Sequence, residues 1–167
     1  NGIEKCSGDL IMFSDQDDVW LPGRVEEFLR RIHEGYTFIF FDAKIIDECD
    51  YILSESYFKK FGAKTTFLGN MIRCRTLGCC IGFNKSDLSS EFSLPEEYKH
   101  LPFDYAITMY ALAFHKCYFT KIPFHLYRRH EKNVSSGGER SKYPLTQKII
   151  FRYRVLKFII LQCHRQQ

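Results

Sequence analysis

The chemistry this chain can perform starts at four consecutive residues, Asp15-Gln16-Asp17-Asp18, which crowd three carboxylates into one short turn. Charges that close repel, and the repulsion raises carboxylate pKa values unless a cation relieves it. A hard divalent ion, Mg2+ or Mn2+, would do so. It accepts one or two carboxylates together with the oxygens of a diphosphate, and it neutralises charge developing on a leaving nucleotide. Two plainer readings use the same residues: a solvated turn, or an acidic cluster of the kind favoured at helix N-termini.

The turn needs elements that hold it. Leu10-Ile11-Met12-Phe13 is an apolar run of strand length after Gly8, and it predicts a buried strand ending at Ser14-Asp15. Pro22 and Gly35 bracket Val25, Phe28, Leu29 and Ile32, spaced i, i+3, i+4, i+7, which predicts a helix. Residues 36–46, rich in Phe and Ile, predict a second buried strand interrupted by Asp42. Strand, acidic turn, helix and strand make a βαβ unit with a parallel sheet, whose ligands sit beyond the carboxyl ends of the strands.

Short helices are predicted around residues 57–61 and 66–72. Residues 77–83 form a third apolar run, whose Gly78 and Gly82 allow close approach of backbone or ligand. After Pro95 and Pro102 comes a helix with Phe103, Ile107, Tyr110, Ala111 and Phe114 on one face and Asp104 in its first turn. Two short strands, 117–122 and 124–129, lead into a polar loop over 130–143, a length typical of lids, binding loops or disordered links. A final helix, about 146–163, is apolar almost all round, with Lys148, Arg152, Arg154 and Lys157 interspersed.

The 167 residues suit one domain with one core, and 45% hydrophobic against 26% charged excludes a disordered or collagen-like chain. Residues 121–167 hold 11 Lys and Arg against two acids, whereas residues 1–120 hold 13 against 18. The basic end suits an anionic partner (phosphate, nucleic acid or a membrane surface) or is simply a solvated helix face. Seven cysteines, an odd number with no Cys-x-x-Cys pair, indicate neither a zinc ribbon nor a disulfide framework, so reduced thiols are expected. No apolar run reaches the ~18–20 residues of a membrane span, and the expected location is cytoplasmic, with attachment to the inner face of the plasma membrane left open.

Phe13-Ser14-Asp15-Gln16-Asp17-Asp18-Val19-Trp20-Leu21-Pro22 resembles the Asp-x-Asp signature of glycosyltransferase family 2, especially its bacterial rhamnosyltransferase-like branch. The resemblance continues in the family's order through Phe41-Asp42-Ala43, residues 78–84 from Gly78 to Asn84, Phe103-Asp104-Tyr105, and Tyr127-Arg128-Arg129-His130-Glu131-Lys132-Asn133. It implies an α/β fold of the GT-A type, a Rossmann-like mixed sheet flanked by helices. Residues 1–143 would be the C-terminal two thirds of that domain and 144–167 a basic, apolar helix. The segment that supplies most contacts to the nucleotide base has no counterpart here, so the resemblance implies a fragment of a longer enzyme.

Carried over residue by residue, the resemblance implies that Asp15 faces the ribose, Asp17 the metal, and Asp18 the donor sugar or the residues around it. Trp20 would lie near the sugar site, and His130 near the metal or diphosphate, where imidazole suits Mn2+ better than Mg2+. Arg128 and Arg129 alternate faces on a strand, so at most one should reach a phosphate, with Arg129 favoured. Asp104 matches the family's general base, and a first helical turn favours its carboxylate form. Phe103 is a departure, since relatives often carry His or another polar residue before this Asp. The implied partners are a nucleotide-diphosphate sugar and a glycan or lipid-linked glycan, with peripheral membrane contact and no nucleic acid. Two other readings remain open: a non-catalytic membrane- or nucleic-acid-binding module on the last helix, with Phe151, Tyr153 and Phe158 interleaved with Arg152 and Arg154, and a metal-dependent phosphohydrolase.

Overall fold

A computed structural model describes residues 2–88, 101–130 and 143–165. The chain runs α1 (Gly2–Lys5), β1 (Leu10–Met12), β2 (Val19–Trp20), α2 (Arg24–His33), β3 (Phe38–Ile46), β4 (Ile52–Ser54), α3 (Tyr57–Phe61), α4 (Phe67–Ile72), β5 (Ile81–Asn84), α5 (Phe103–Phe114), β6 (Cys117–Arg128) and α6 (Leu145–Arg165). The strands form one mixed sheet in the order β1-β5-β3-β6-β2, with β4 added to β3. β1 and β3 are each antiparallel to β5 and hence parallel to one another, while β3 and β6 pair in parallel. The expected βαβ unit is therefore present, with β5 inserted between its two strands.

β3 is the centre of the sheet because it is apolar on both faces, and alternation sends its side chains to two cores. On one side Phe38 and Phe40 join Ile81 and Phe83, Ile107 and Tyr110 of α5, and Phe151, Val155 and Phe158 of α6. On the other, Ile39, Phe41, Ala43 and Ile45 meet Phe28 of α2, Leu77, Cys79, Phe124 and Tyr127. Gly82 makes this second packing fit: a Cβ there would stand 3.0 Å from the Phe28 ring.

Three sequence expectations change. The two strands expected around Pro123 are one, because β6 runs on past it with register shifts on either side of Asp42. Proline brings no N–H to this ladder, and where the register shifts beside it the Asp42 N–H donates to the Thr120 hydroxyl at 2.7 Å. Asp42 does not interrupt β3 either. Its buried carboxylate accepts from the Ser56 hydroxyl at 2.5 Å and from the N–H groups of Phe58 at 2.9 Å and Ala43 at 2.8 Å, tying β3 to the start of α3. The aromatic stack expected along the last helix also dissolves, since Phe151 and Phe158 are buried and only Tyr153 faces out.

β2 and β4, of two and three residues, are too short for periodicity to reveal. No helix among the described residues is long and apolar enough to cross a membrane. Pro95 and the polar loop residues 131–142 lie outside the described residues.

Replacing Asp42 by Ala leaves the Ser56 hydroxyl proton and the Phe58 N–H without an acceptor and should cost about 2–4 kcal/mol, read as a lower urea midpoint at unchanged slope.

Candidate active site

The acidic turn is held from beneath. Asp18 has a side chain 1% exposed, with Oδ2 at 2.8 Å from Nε2 of His125 and Oδ1 accepting the Arg128 N–H at 2.9 Å. His125 lies in β6 with no exposure, and its Nδ1 accepts a hydrogen bond from Arg24. A guanidinium can only donate, so Nδ1 is bare and the imidazole proton sits on Nε2, facing Asp18. A neutral ring thus couples a buried cation to a buried anion. Burial works to raise the pKa of Asp18, but the hydrogen bonds from His125 and the Arg128 N–H outweigh it, and the group lies below its ordinary value.

Arg24, in the first turn of α2, also donates to the carbonyls of Cys79 at 2.8 Å and Phe13 at 3.2 Å. Its guanidinium lies over the rings of Trp20 at 4.3 Å and Phe41 at 4.9 Å. Burial lowers its pKa, yet a guanidinium remains charged. Trp20 is consequently a lid on Arg24, and its indole N–H reaches the Ser14 hydroxyl at 3.1 Å.

Asp17 points outward from this base, with Oδ2 2.9 Å from Nε2 of His130. Its backbone carbonyl accepts from Nε of Arg128 at 2.9 Å, and the same guanidinium reaches the Asp47 carbonyl at 3.0 Å and the Asp50 carboxylate at 2.7 Å. Of the two arginines, Arg128 is the one bound to the turn. Arg129 continues the sheet through its N–H to the Ile46 carbonyl at 2.8 Å, with its side chain half-buried. The 2.9 Å between Asp17 and His130 is close to the ~3 Å that separates adjacent ligands of an octahedral ion with bonds of about 2.1 Å. A carboxylate and an imidazole together suit Mn2+.

Asp15 and Asp104 complete the constellation. Oxygens of Asp15 and Asp18 and the thiol of Cys79 gather within 4.8 Å of one another. Desolvation, then the charges of Asp18 and Asp17, push the Asp15 pKa up. The Cys79 thiol, hydrogen-bonded with Cys80 and buried, is pushed up as well and stays protonated. Asp104 stands beside Gly78, where a Cβ would lie 3.3 Å from its own, and Phe103 meets Phe13 edge-on at 5.7 Å. The start of α5 is thereby held against the end of β1. Burial raises the pKa of Asp104, and the charge of Asp15 adds to the rise despite the N–H of Tyr105 donated to Oδ1 at 2.8 Å. The helix-terminus argument from sequence pointed the other way, and burial outweighs it. Phe103, expected on the buried face, is instead 42% exposed and makes this contact with Phe13.

Arg24 and His125 escaped the sequence reading. The available signals were a cation in a helix's first turn, where the macrodipole opposes it, and a histidine inside the apolar run Phe124-His125-Leu126.

The family model for glycosyl transferase family 2 matches residues 1–91, more than half of the chain. The chain belongs to glycosyl transferase family 2. Among solved structures, the S. aureus TarS fragment 1–349 in complex with UDP-GlcNAc shares the fold with this family 2 chain at 15% identity and a TM-score of 0.56. The match covers 95% of this chain and 44% of that one, so the chain spans less than half the length of the TarS fragment. No curated protein matches it. The sheet and its flanking helices are those of a GT-A-like fragment, as the resemblance implied.

Replacing Arg24 by Lys removes the fork that reaches His125, Cys79 and Phe13 together. It should cost about 2–4 kcal/mol and shift the emission of Trp20, the single tryptophan, to the red as its guanidinium cover is lost.

Proposed function

We propose that this chain carries the catalytic centre of a transferase that moves a sugar from a nucleotide-diphosphate donor to a hydroxyl of a glycan or lipid-linked glycan, with inversion at the anomeric carbon. One observation carries the reading: a half-buried aspartate with a raised pKa, Asp104, stands within electrostatic reach of the acidic turn at the end of β1. Support for a nucleotide-sugar donor comes from the family and from the TarS structure with its UDP-GlcNAc. The rhamnosyltransferase-like string around Asp15–Asp18 favours a deoxythymidine-diphosphate rhamnose donor, and uridine-diphosphate sugars are the competing class. A cytoplasmic site of action belongs to the same reading.

In this reading Asp17 and His130 hold Mn2+ or Mg2+, which when bound neutralises the diphosphate as it leaves. Asp15 faces the ribose, and Arg129 is the side chain nearest in sequence that could meet a phosphate. Asp18, with both oxygens engaged, fixes the turn on His125 and the Arg128 N–H, so that Asp17 and Asp15 keep their directions. Trp20, lying over Arg24, forms an apolar wall at the sugar side. Oδ1 of Asp104 is taken by the Tyr105 N–H, and Oδ2 is the oxygen that accepts the acceptor's proton as the hydroxyl oxygen bonds to the anomeric carbon. The glycosidic C–O bond to the diphosphate breaks in the same step, and its electron pair leaves with the phosphate oxygen. A raised pKa makes Asp104 a stronger base once ionised.

In the enzyme that carries this chain, Asp104→Asn should lower kcat about 10²–10⁴-fold with little change in donor KM. The acid limb of kcat/KM should lie above the ordinary carboxylate value of 3.8 and disappear with that substitution. Equal transfer by wild type and Asp104→Asn would remove the assignment.

The stability sign is opposite to the activity. A folded pKa above 3.8 means that ionising Asp104 destabilises the fold as pH rises through that folded value. At neutral pH Asp104→Asn should therefore raise Tm, by about 2–4 °C if the gain is ~1 kcal/mol.

For the ion, Mn2+ should quench Trp20 emission saturably in the wild type, and Asp17→Asn should abolish the saturation. Unchanged quenching would separate Asp17 from the ion.

A further inference from the structure

The last helix has a face that the fold does not use. Phe151, Val155, Phe158, Ile159 and Gln162 of α6 are buried, which accounts for one side of it. The opposite side carries Leu145 at 71% exposure, Ile149 at 56%, Tyr153 at 66%, Leu156 at 43% and Ile160 at 56%. These five recur at spacings of three and four, so they form one apolar stripe along a helix about 30 Å long. The stripe does not end with the helix. Arg152 donates to the carbonyls of Met71 at 2.9 Å and Ile72 at 2.5 Å, and this brings the end of α4 alongside, where Ile72 is 71% exposed and Leu68 73%.

Charge identifies what covers this face. α6 contains Lys148, Arg152, Arg154, Lys157, His164 and Arg165 and no Asp or Glu in its 21 residues. At 100° per residue, Lys148 and Arg152 fall on one flank of the apolar stripe and Lys157, His164 and Arg154 on the other. A second copy of the chain placed on the stripe would bring cations against cations with no acid on either helix to offset them. An interface that is apolar in the middle and anionic on both sides matches instead a bilayer surface of anionic lipid: the stripe enters at the level of the acyl boundary and the basic flanks meet headgroup phosphates. We propose that α6, with Leu68 and Ile72, docks this chain flat on an anionic membrane surface.

The docking would be independent of sugar transfer, so it can fail or hold without affecting the functional reading. The full chain is floated with vesicles of phosphatidylcholine alone and of phosphatidylcholine with phosphatidylglycerol. Binding to the anionic vesicles, weak or absent on the neutral ones, is the expected result. Ile149→Ser with Ile160→Ser should lower partitioning at least about tenfold. Replacement of Lys148, Arg154 and Lys157 by Gln should lower it on the order of 100-fold and weaken the lipid-charge dependence. All five positions are exposed or half-exposed, and an unchanged thermal midpoint checks that both variants fold. The proposal is overturned if the chain ignores anionic vesicles, if both folded variants bind as the wild type does, or if light scattering without lipid shows an oligomer that the serine variant dissociates, since the stripe is then covered by protein.

Discussion

The buried line from Arg24 through His125 to Asp18 is the interaction on which the site depends. A cation at the start of α2, a neutral imidazole in β6 and an anion in the acidic turn are drawn from three separate stretches of chain, and none could be buried alone at tolerable cost. Joined, they carry no net charge, and both terminal nitrogens of Arg24, both ring nitrogens of His125 and both oxygens of Asp18 meet partners, while Nε of Arg24 meets none. Arg24 also donates to the carbonyls of Phe13, just past β1, and Cys79, ahead of β5, which lie in the backbone segments that lead into and past the site. The same side chain therefore anchors the fold and aims the carboxylates.

From that anchor the three aspartates of one short turn acquire different characters. Asp18 is committed to the interior, hydrogen-bonded and held below its usual pKa. Asp15 sits among like charges and is pushed up, and Asp17 turns outward to His130. A flexible acidic loop would give three equivalent carboxylates. The divergence arises because one member is fixed on β6, and the short linkage then dictates where the other two can point. Asp104 joins them through packing, with Phe103 against Phe13 and Gly78 admitting its Cβ.

The elements nearest the acidic turn were legible because their signals are local. An apolar run before Ser14, a helix bracketed by Pro22 and Gly35, and a β-rich run at residues 36–46 can each be read from a short local stretch. Asp42 and Pro123 misled for the same reason. Locally each is a strand breaker, but the Ser56 and Thr120 hydroxyls that satisfy Asp42, and the strand β3 that lies beside Pro123, come from elsewhere in the chain. The last helix read as apolar almost all round. Only its packing against α5 and the sheet separates the residues that build the core from those left facing outward.

What the amino-acid sequence determined on its own was the family and the fold class: a strand that ends in clustered carboxylates, an αβ arrangement to carry them, and an order of short strings characteristic of one family. Tertiary structure decided which groups stand together. The tautomer of His125 follows from Arg24 behind it, and the proximity of Asp104 to Asp15 follows from two phenylalanines in contact. The direction of the Asp104 shift follows from burial, where the helix position alone argued the reverse. Dielectric surroundings and hydrogen-bond partners are set by residues distant in the chain, and so they exist only once the chain has folded.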